Sequence, residues 1–353
     1  MSQLHGAKPV LIDEWQDAPG LWDAVRLAVD QAPGVGQYIL TGSATPIDSQ
    51  TSHSGTGRIA RLTMWPMSLW EAGRSTGEVS LSQLMDGLPP ATVKGEMASG
   101  DIIDAMLVGG WPASLGLPAS QAVEVPRTYL ESVANSDASR IDGIRRDPAR
   151  LSALIATLAR NTATLVSVKT LARDVTDASI ASKTVADYLD VLRRLYVYKE
   201  IPAWEPALRS PVRLLRSPKR MLVDPSLAAA GMLATRARLM ADRKTLGLLF
   251  ETLCLRDLCV YAQRAQVCHY HDDSGLEVDA IIQAEDGRWT GVEIKWGADQ
   301  EDAAAASLLR LRAKLTARGE QPPAALVVLT GTGSFAHRRP DGVDVVPITC
   351  LRP

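Results

Sequence analysis

The chain has 353 residues, 46% hydrophobic and 22% charged, with a formal net charge of -2. At roughly 150 residues per domain this length allows two or three domains, and the composition excludes a disordered chain, a collagen-like repeat and a disulfide scaffold. No apolar run reaches the roughly 20 residues of a bilayer-spanning helix, and the chain opens on no signal-peptide or presequence pattern. Its four cysteines (Cys254, Cys259, Cys268 and Cys350) form no C-x-x-C pair. The expectation is a cytoplasmic protein with buried thiols and no membrane partner. Residues 140–220 carry 16 Lys and Arg against 8 Asp and Glu. That basic middle, between flanks that must be acidic, suggests an anionic partner, although a solvated basic face would read the same way.

In chain order, KPVLIDE, LWDAVRLAVDQA and QYILTGS predict strand, helix and strand, the alternation of a parallel sheet covered by helices. A polar loop over 45–57 and a strand with a turn over RIARLTMWPMSLWEA follow. Residues 78–100, rich in Gly, Pro, Ser and Met, read as surface loop or lid, and the chain is then mostly helical to about 165. SVKTLARDV and SKTVADYLDVLRRLY predict two helices around a turn, TDASIA, before the extended VYKEIPAW; helix, turn, helix, strand is the winged-helix pattern. From Thr245 the spacing predicts an amphipathic helix, the strand QVCHY, a hairpin of LEVDAIIQ and WTGVEIKW turned at EDG, a helix over 300–317 and the strand ALVVLTG.

Two constellations carry chemistry. Asp13 and Glu14 end an apolar strand, the Walker B position, where one carboxylate holds Mg²⁺ and the next orients water. Thr41 and Ser43 stand at the tip of the next strand, beside where a γ-phosphate would lie, and Arg58 follows as a candidate arginine finger toward a neighbouring subunit. The phosphate-cradling G-x-x-x-x-G-K-[ST] loop is absent, since no lysine follows a glycine. The second constellation is Glu251 on a helix, Asp279 on one hairpin arm and Glu293-x-Lys295 on the other. Adjacent arms would let Asp279 and Glu293 share a metal while Lys295 polarises water or a phosphate oxygen, as in metal-dependent nucleases; the plain alternative is a cross-strand ion pair. Cys268, His269 and His271 lack the second ligand pair of a zinc site and read as structural. Lys183, Arg193, Arg194, Arg213, Arg216, Lys219 and Arg220 are candidate phosphate contacts to DNA.

In this order VLIDEWQ, YILTGS, TGRIARLTMWPMSLWE, GGWP, TVADYLDVLRRLYV, SPKRMLVDPSL, LLFE and EVDAII…GVEIK resemble the prokaryotic AAA-type ATP-binding proteins that end in domain of unknown function 4143. The resemblance spans about residues 9–331. It implies an α/β multidomain chain: a partial P-loop (AAA-type) core over 1–75, a helical lid or linker over 76–165, a winged-helix domain over 166–240 and a restriction-endonuclease-like domain over 241–353. It also implies ATP and Mg²⁺ as cofactors, with Asp13, Asp279 and Glu293 as metal ligands. Family members carry the P-loop strand and helix before the segment on which this sequence opens, so the expectation is a truncated or degenerate core with weak or absent ATP binding. The readings to be weighed are such an AAA-type protein, a Mg²⁺-dependent DNA nuclease and a non-enzymatic DNA-binding regulator.

Overall fold

The computed structural model describes residue 4 and the ranges 7–32, 34–44, 57–95, 97–141 (Arg140 by backbone only), 143–175, 180–207, 216–262 and 264–353. At its start, β1 (Val10–Ile12) and β2 (Tyr38–Leu40) pair in parallel across α1 (Gly20–Gln31), which turns Trp22 and Val25 inward. Leu11 and Ile39 at the strand centres remain 64% and 49% exposed. Parallel sheets normally have both faces covered, and this pair has one apolar face open. The strand expected over RIARLTMWPMSLWEA does not form. Residues 59–66 join no sheet, and the segment is held instead by single contacts such as Met67 N–H to the Gly110 carbonyl (2.7 Å).

The middle of the chain begins with β3 (Val79–Ser80), α2 (Leu81–Met85) and β4 (Val93–Lys94). The helices α3 (Ser99–Val108), α4 (Glu124–Ser132) and α5 (Pro148–Arg160) follow. Then come α6 (Val168–Asp174), α7 (Ser182–Arg194) and the antiparallel pair β5 (Tyr198–Ile201) and β6 (Lys219–Leu222). Local chemistry sets the helix starts. The Asp147 carboxylate accepts from Ala149 N–H with proline next in sequence, and the Ser167 hydroxyl accepts from Thr170 N–H. Part of the expected TDASIA turn, residues 176–179, lies outside the described residues.

After α8 (Pro225–Gly231), capped by Asp224 in the same Asp-Pro manner, α9 (Arg243–Tyr261) leads into the C-terminal unit. Its strands are β7 (Ala265–His271), β8 (Glu277–Ala284) and β9 (Trp289–Lys295), then, beyond α10 (Glu301–Ala317), β10 (Ala325–Thr330), β11 (Phe335–Arg338), β12 (Asp344–Pro347) and β13 (Leu351–Arg352). The seven-stranded sheet runs β4-β11-β12-β10-β9-β8-β7, with β10 parallel to β9 and β12. Alternation along β10 sends Ala325, Val327 and Leu329 into the core beneath α9, and Leu326 and Val328 into the core beneath α10. Helices thus cover both faces. α9 is more deeply embedded than an amphipathic helix: Leu249, Phe250, Leu253, Cys254, Leu255, Arg256, Asp257 and Leu258 are all buried.

Residues 78–100 correct the loop-or-lid expectation. β4 pairs with β11 at the edge of the seven-stranded sheet, β3 pairs with β13 in a separate two-stranded sheet, and Arg288 bonds Asp86, so this segment docks on the C-terminal unit. Two-residue strands carry no periodicity of their own, and only the distant partner fixes them.

Candidate functional site

Glu251, Asp279, Glu293 and Lys295 converge where α9 crosses the ends of β8 and β9. The hairpin places Asp279 with the help of a bulge: between the pairs Cys268–Ile281 and Tyr270–Val278, β7 advances two residues and β8 three. The extra residue on β8 re-aims Asp279 toward the end of β9, where its carboxylate accepts from Ile294 N–H (2.8 Å). Lys295 Nζ bridges Asp279 Oδ2 (2.9 Å) and Glu293 Oε2 (2.5 Å). A fifth residue enters from β6. Lys219 bonds the Glu251 carboxylate and the Asp279 carbonyl (3.3 Å), with its Nζ 3.7 Å from Asp279 Oδ1.

Three carboxylates face two ammonium groups, so one negative charge is uncompensated in a largely dry site. Burial and the neighbouring Asp279 push the Glu293 carboxyl up to about 8; burial pushes Glu251 up to about 7 although Lys219 opposes it. Burial alone would raise Asp279 too, but Lys219 and Lys295 outweigh it and hold that carboxyl at about 2. Both lysines lie above the usual lysine range, because the carboxylates around them outweigh their desolvation. In effect the cluster retains a proton that an exposed set would lose. Among the described residues, no three carboxylate, imidazole or thiol groups converge as a metal would require.

At the other end, Thr41 Oγ1 donates to Asp13 (2.5 Å), Ser43 Oγ donates to Glu14 (3.3 Å), and Gln16 Nε2 reaches both Glu14 and Ser43. The four expected residues therefore meet at one open strand end. Arg58 is directed elsewhere, pairing with Asp30 in the last turn of α1. Most of the polar loop before it, residues 45–56, lies outside the described residues.

Part of the basic middle is engaged in ion pairs within the chain. Lys183 is exposed on α7, whereas Arg193 pairs with Asp190 and Arg216 with Asp273. Lys219 and Arg220 correct the expectation of an open phosphate-facing surface, because both are buried. Lys219 sits in the carboxylate cluster; Arg220 bonds the Val166 carbonyl and stands 3.4 Å from Glu200. Arg194 is half-buried, and Arg213 lies outside the described residues. His269 is buried against the Ser217 carbonyl; burial and the nearby Lys219 charge lower its pKa to about 4 although that carbonyl opposes the shift, and His271 faces Glu277. The structural reading of these histidines agrees with those contacts.

Sequence reasoning missed a buried hub. Arg256, 1% exposed, bonds Asp224 Oδ2 (2.8 Å) and Asp257 Oδ1 (2.6 and 2.9 Å). Asp257 also accepts from Leu69 N–H (3.1 Å), and Asp224 from Gly110 N–H (3.0 Å) and Ser226 N–H (2.8 Å). Gly110 is required there: a Cβ would lie 2.1 Å from the Met67 carbonyl oxygen. MWPMSLWE, GGWP, LVDPSL and α9 thus meet at one guanidinium. The available signal was three Asp, Gly and Pro motifs with no separate explanation.

Against known families, the chain matches an AAA domain over residues 1–73, a domain of unknown function (DUF8612) over 99–238 and a domain of unknown function (DUF4143) over 246–351. No curated protein matches it. Among the described residues, no helix is long and apolar enough to cross a membrane.

Proposed function

Since the chain joins an AAA-type domain to a C-terminal domain of unknown function 4143, we propose that its C-terminal cluster is non-hydrolytic and that the chain acts by binding. Its nuclease-like cluster then serves as a closed structural centre. The observation that carries this reading is Lys219. The oxygen donors of Glu251, Asp279 and Glu293 suit Mg²⁺ chemically, but the ammonium groups of Lys219 and Lys295 fill the spaces between them. The residues as arranged do not fit a divalent ion.

The test is Mn²⁺ and Mg²⁺ titration by calorimetry beside plasmid nicking. The expected result is neither saturable metal binding nor nicking by the full chain. Nicking that disappears on Lys295→Ala would refute the reading and establish a metal-dependent nuclease.

One feature favours that second, nuclease reading: Lys219 comes from β6, whereas the other four residues come from α9, β8 and β9. If its withdrawal opens the site, Lys219→Met gains Mn²⁺ binding that the parent chain lacks.

A further inference from the structure

The structure holds a cavity of about 730 Å³ between residues 63–66, the α7–β5 corner and the face formed by α9 and β7. None of Glu251, Asp279, Glu293 and Lys295 lines it. Its walls present two aromatic rings (Trp65 and Tyr196), with the buried Tyr198 behind them, and three cations (Arg193, Lys199 and Arg216), over an apolar floor that includes Val223, Ala262 and Val267. We propose that this cavity is a binding site for a nucleotide unit, an aromatic base carrying phosphate.

The charge pattern favours an anion at the rim. Glu200 is the one acid in the lining, and it is already engaged by the Tyr198 hydroxyl (2.8 Å) and Arg220 (3.4 Å). Arg216 is held by Asp273, a fully exposed carboxylate, at 3.0 Å. Arg193 pairs with the partly exposed Asp190. Such surface pairs are weak, and a phosphate can replace either carboxylate. Lys199 Nζ lies 5.6 Å from the Trp65 ring centroid, so a cation and a π-face already stand together at the wall.

Tyr196 supplies a second, independent observation. It follows α7 with φ 55°, the left-handed conformation in which a helix end normally carries glycine or asparagine. Its N–H bonds the Arg193 carbonyl (3.0 Å), and Val197 N–H bonds the Leu192 carbonyl (2.9 Å), which closes the helix. A tyrosine stands there against its backbone preference, 42% exposed at the mouth of the cavity, where its ring can add a stacking surface.

Two sources present this chemistry, an unpaired nucleotide within a single strand and a free mononucleotide. The test is fluorescence anisotropy of the full chain with labelled oligothymidylate, with thymidine monophosphate as competitor. Saturable binding that weakens between about 50 and 200 mM salt is expected. Lys199→Glu should weaken it at least about tenfold, and Tyr196→Gly about fivefold or more through the lost stacking. Tyr196→Gly relieves the left-handed strain, so its melting temperature should not fall; weaker binding by an equally stable protein cannot be ascribed to misfolding. Displacement by the monophosphate identifies a site for free nucleotides, and persistence of the strand identifies a site for nucleic acid. No saturable binding of either probe, or affinities unchanged in both variants, overturns the proposal. The result is independent of metal binding and nicking at the Lys219 cluster.

Discussion

Arg256→Met removes the one cation of the buried hub while nearly preserving its volume. Three short hydrogen bonds, at 2.6 to 2.9 Å, are lost together, and the carboxylates of Asp224 and Asp257, both 0% exposed, are left facing each other. Burial already raises the Asp257 pKa above the ordinary aspartate range with the guanidinium in place. Breaking a buried pair from one side costs about 3–5 kcal/mol. The lower end is expected here, because Asp224 retains Gly110 and Ser226 N–H and Asp257 retains Leu69 N–H. Against a total of about 5–15 kcal/mol this is a large fraction. Urea unfolding followed by tryptophan fluorescence should show the first transition displaced by about 3 kcal/mol. Adding Asp224→Asn and Asp257→Asn should recover part of that loss by removing the stranded charge. A single variant within about 1 kcal/mol of the parent would refute the view that this ion triad ties the segments together.

The remaining predictions concern the hub, the cluster and a thiol. Gly110→Ala drives a Cβ to 2.1 Å from the Met67 carbonyl oxygen and should cost about 1–3 kcal/mol; an unchanged melting temperature would show that the 66–70 segment yields freely. Glu251 and Glu293, at about 7 and 8, keep protons that an unfolded chain releases near pH ~4.3. Their contribution to stability is therefore complete at low pH and is lost as pH rises through 7 and 8, so unfolding free energy should decline between about pH 5 and 8. Asp279, held at about 2, acts oppositely and only in acid, losing its contribution as pH falls through 2. A Glu251→Gln/Glu293→Gln double variant with the parent's pH slope would contradict this assignment. Burial raises the Cys254 thiol, so it should resist alkylation at neutral pH until urea unfolds the chain; rapid labelling of Cys254 in the native protein would count against that burial.

Much of the C-terminal unit was legible because its signals are local. Apolar runs, the EDG turn and the order helix–hairpin–helix–strand specify β8, β9 and α10, and pairing the two arms brings Asp279 near Glu293. The bulge that sets Asp279 could not be read, since it depends on the register with β7. Lys219 stands in RSPKR, where composition implies a solvated face; its burial comes from carboxylates 32 and 60 residues away. The embedding of α9 was hidden for a similar reason: the helix is buried beyond a single stripe, so its acceptance of Arg256 and Asp257 reflects partners brought in by the fold. The extended 59–66 segment shows the converse case, an apolar sequence with no strand neighbour.

The pairing of β4 with β11 also fixes an order of events during synthesis. Lys94 is made roughly 240 residues before Phe335, its partner in the ladder. At about 5–20 residues per second the nascent chain waits on the order of 10–50 s with that edge unclosed. Over this interval β3 and β4 lack the strands, β13 and β11, that they pair with in the finished fold. Residues 246–351 produced alone would meet the same difficulty permanently, because β11 and β13 would lack the strands that cover them. The matched domain and the folding unit are therefore different objects, and a soluble C-terminal fragment must bring residues 75–95 with it.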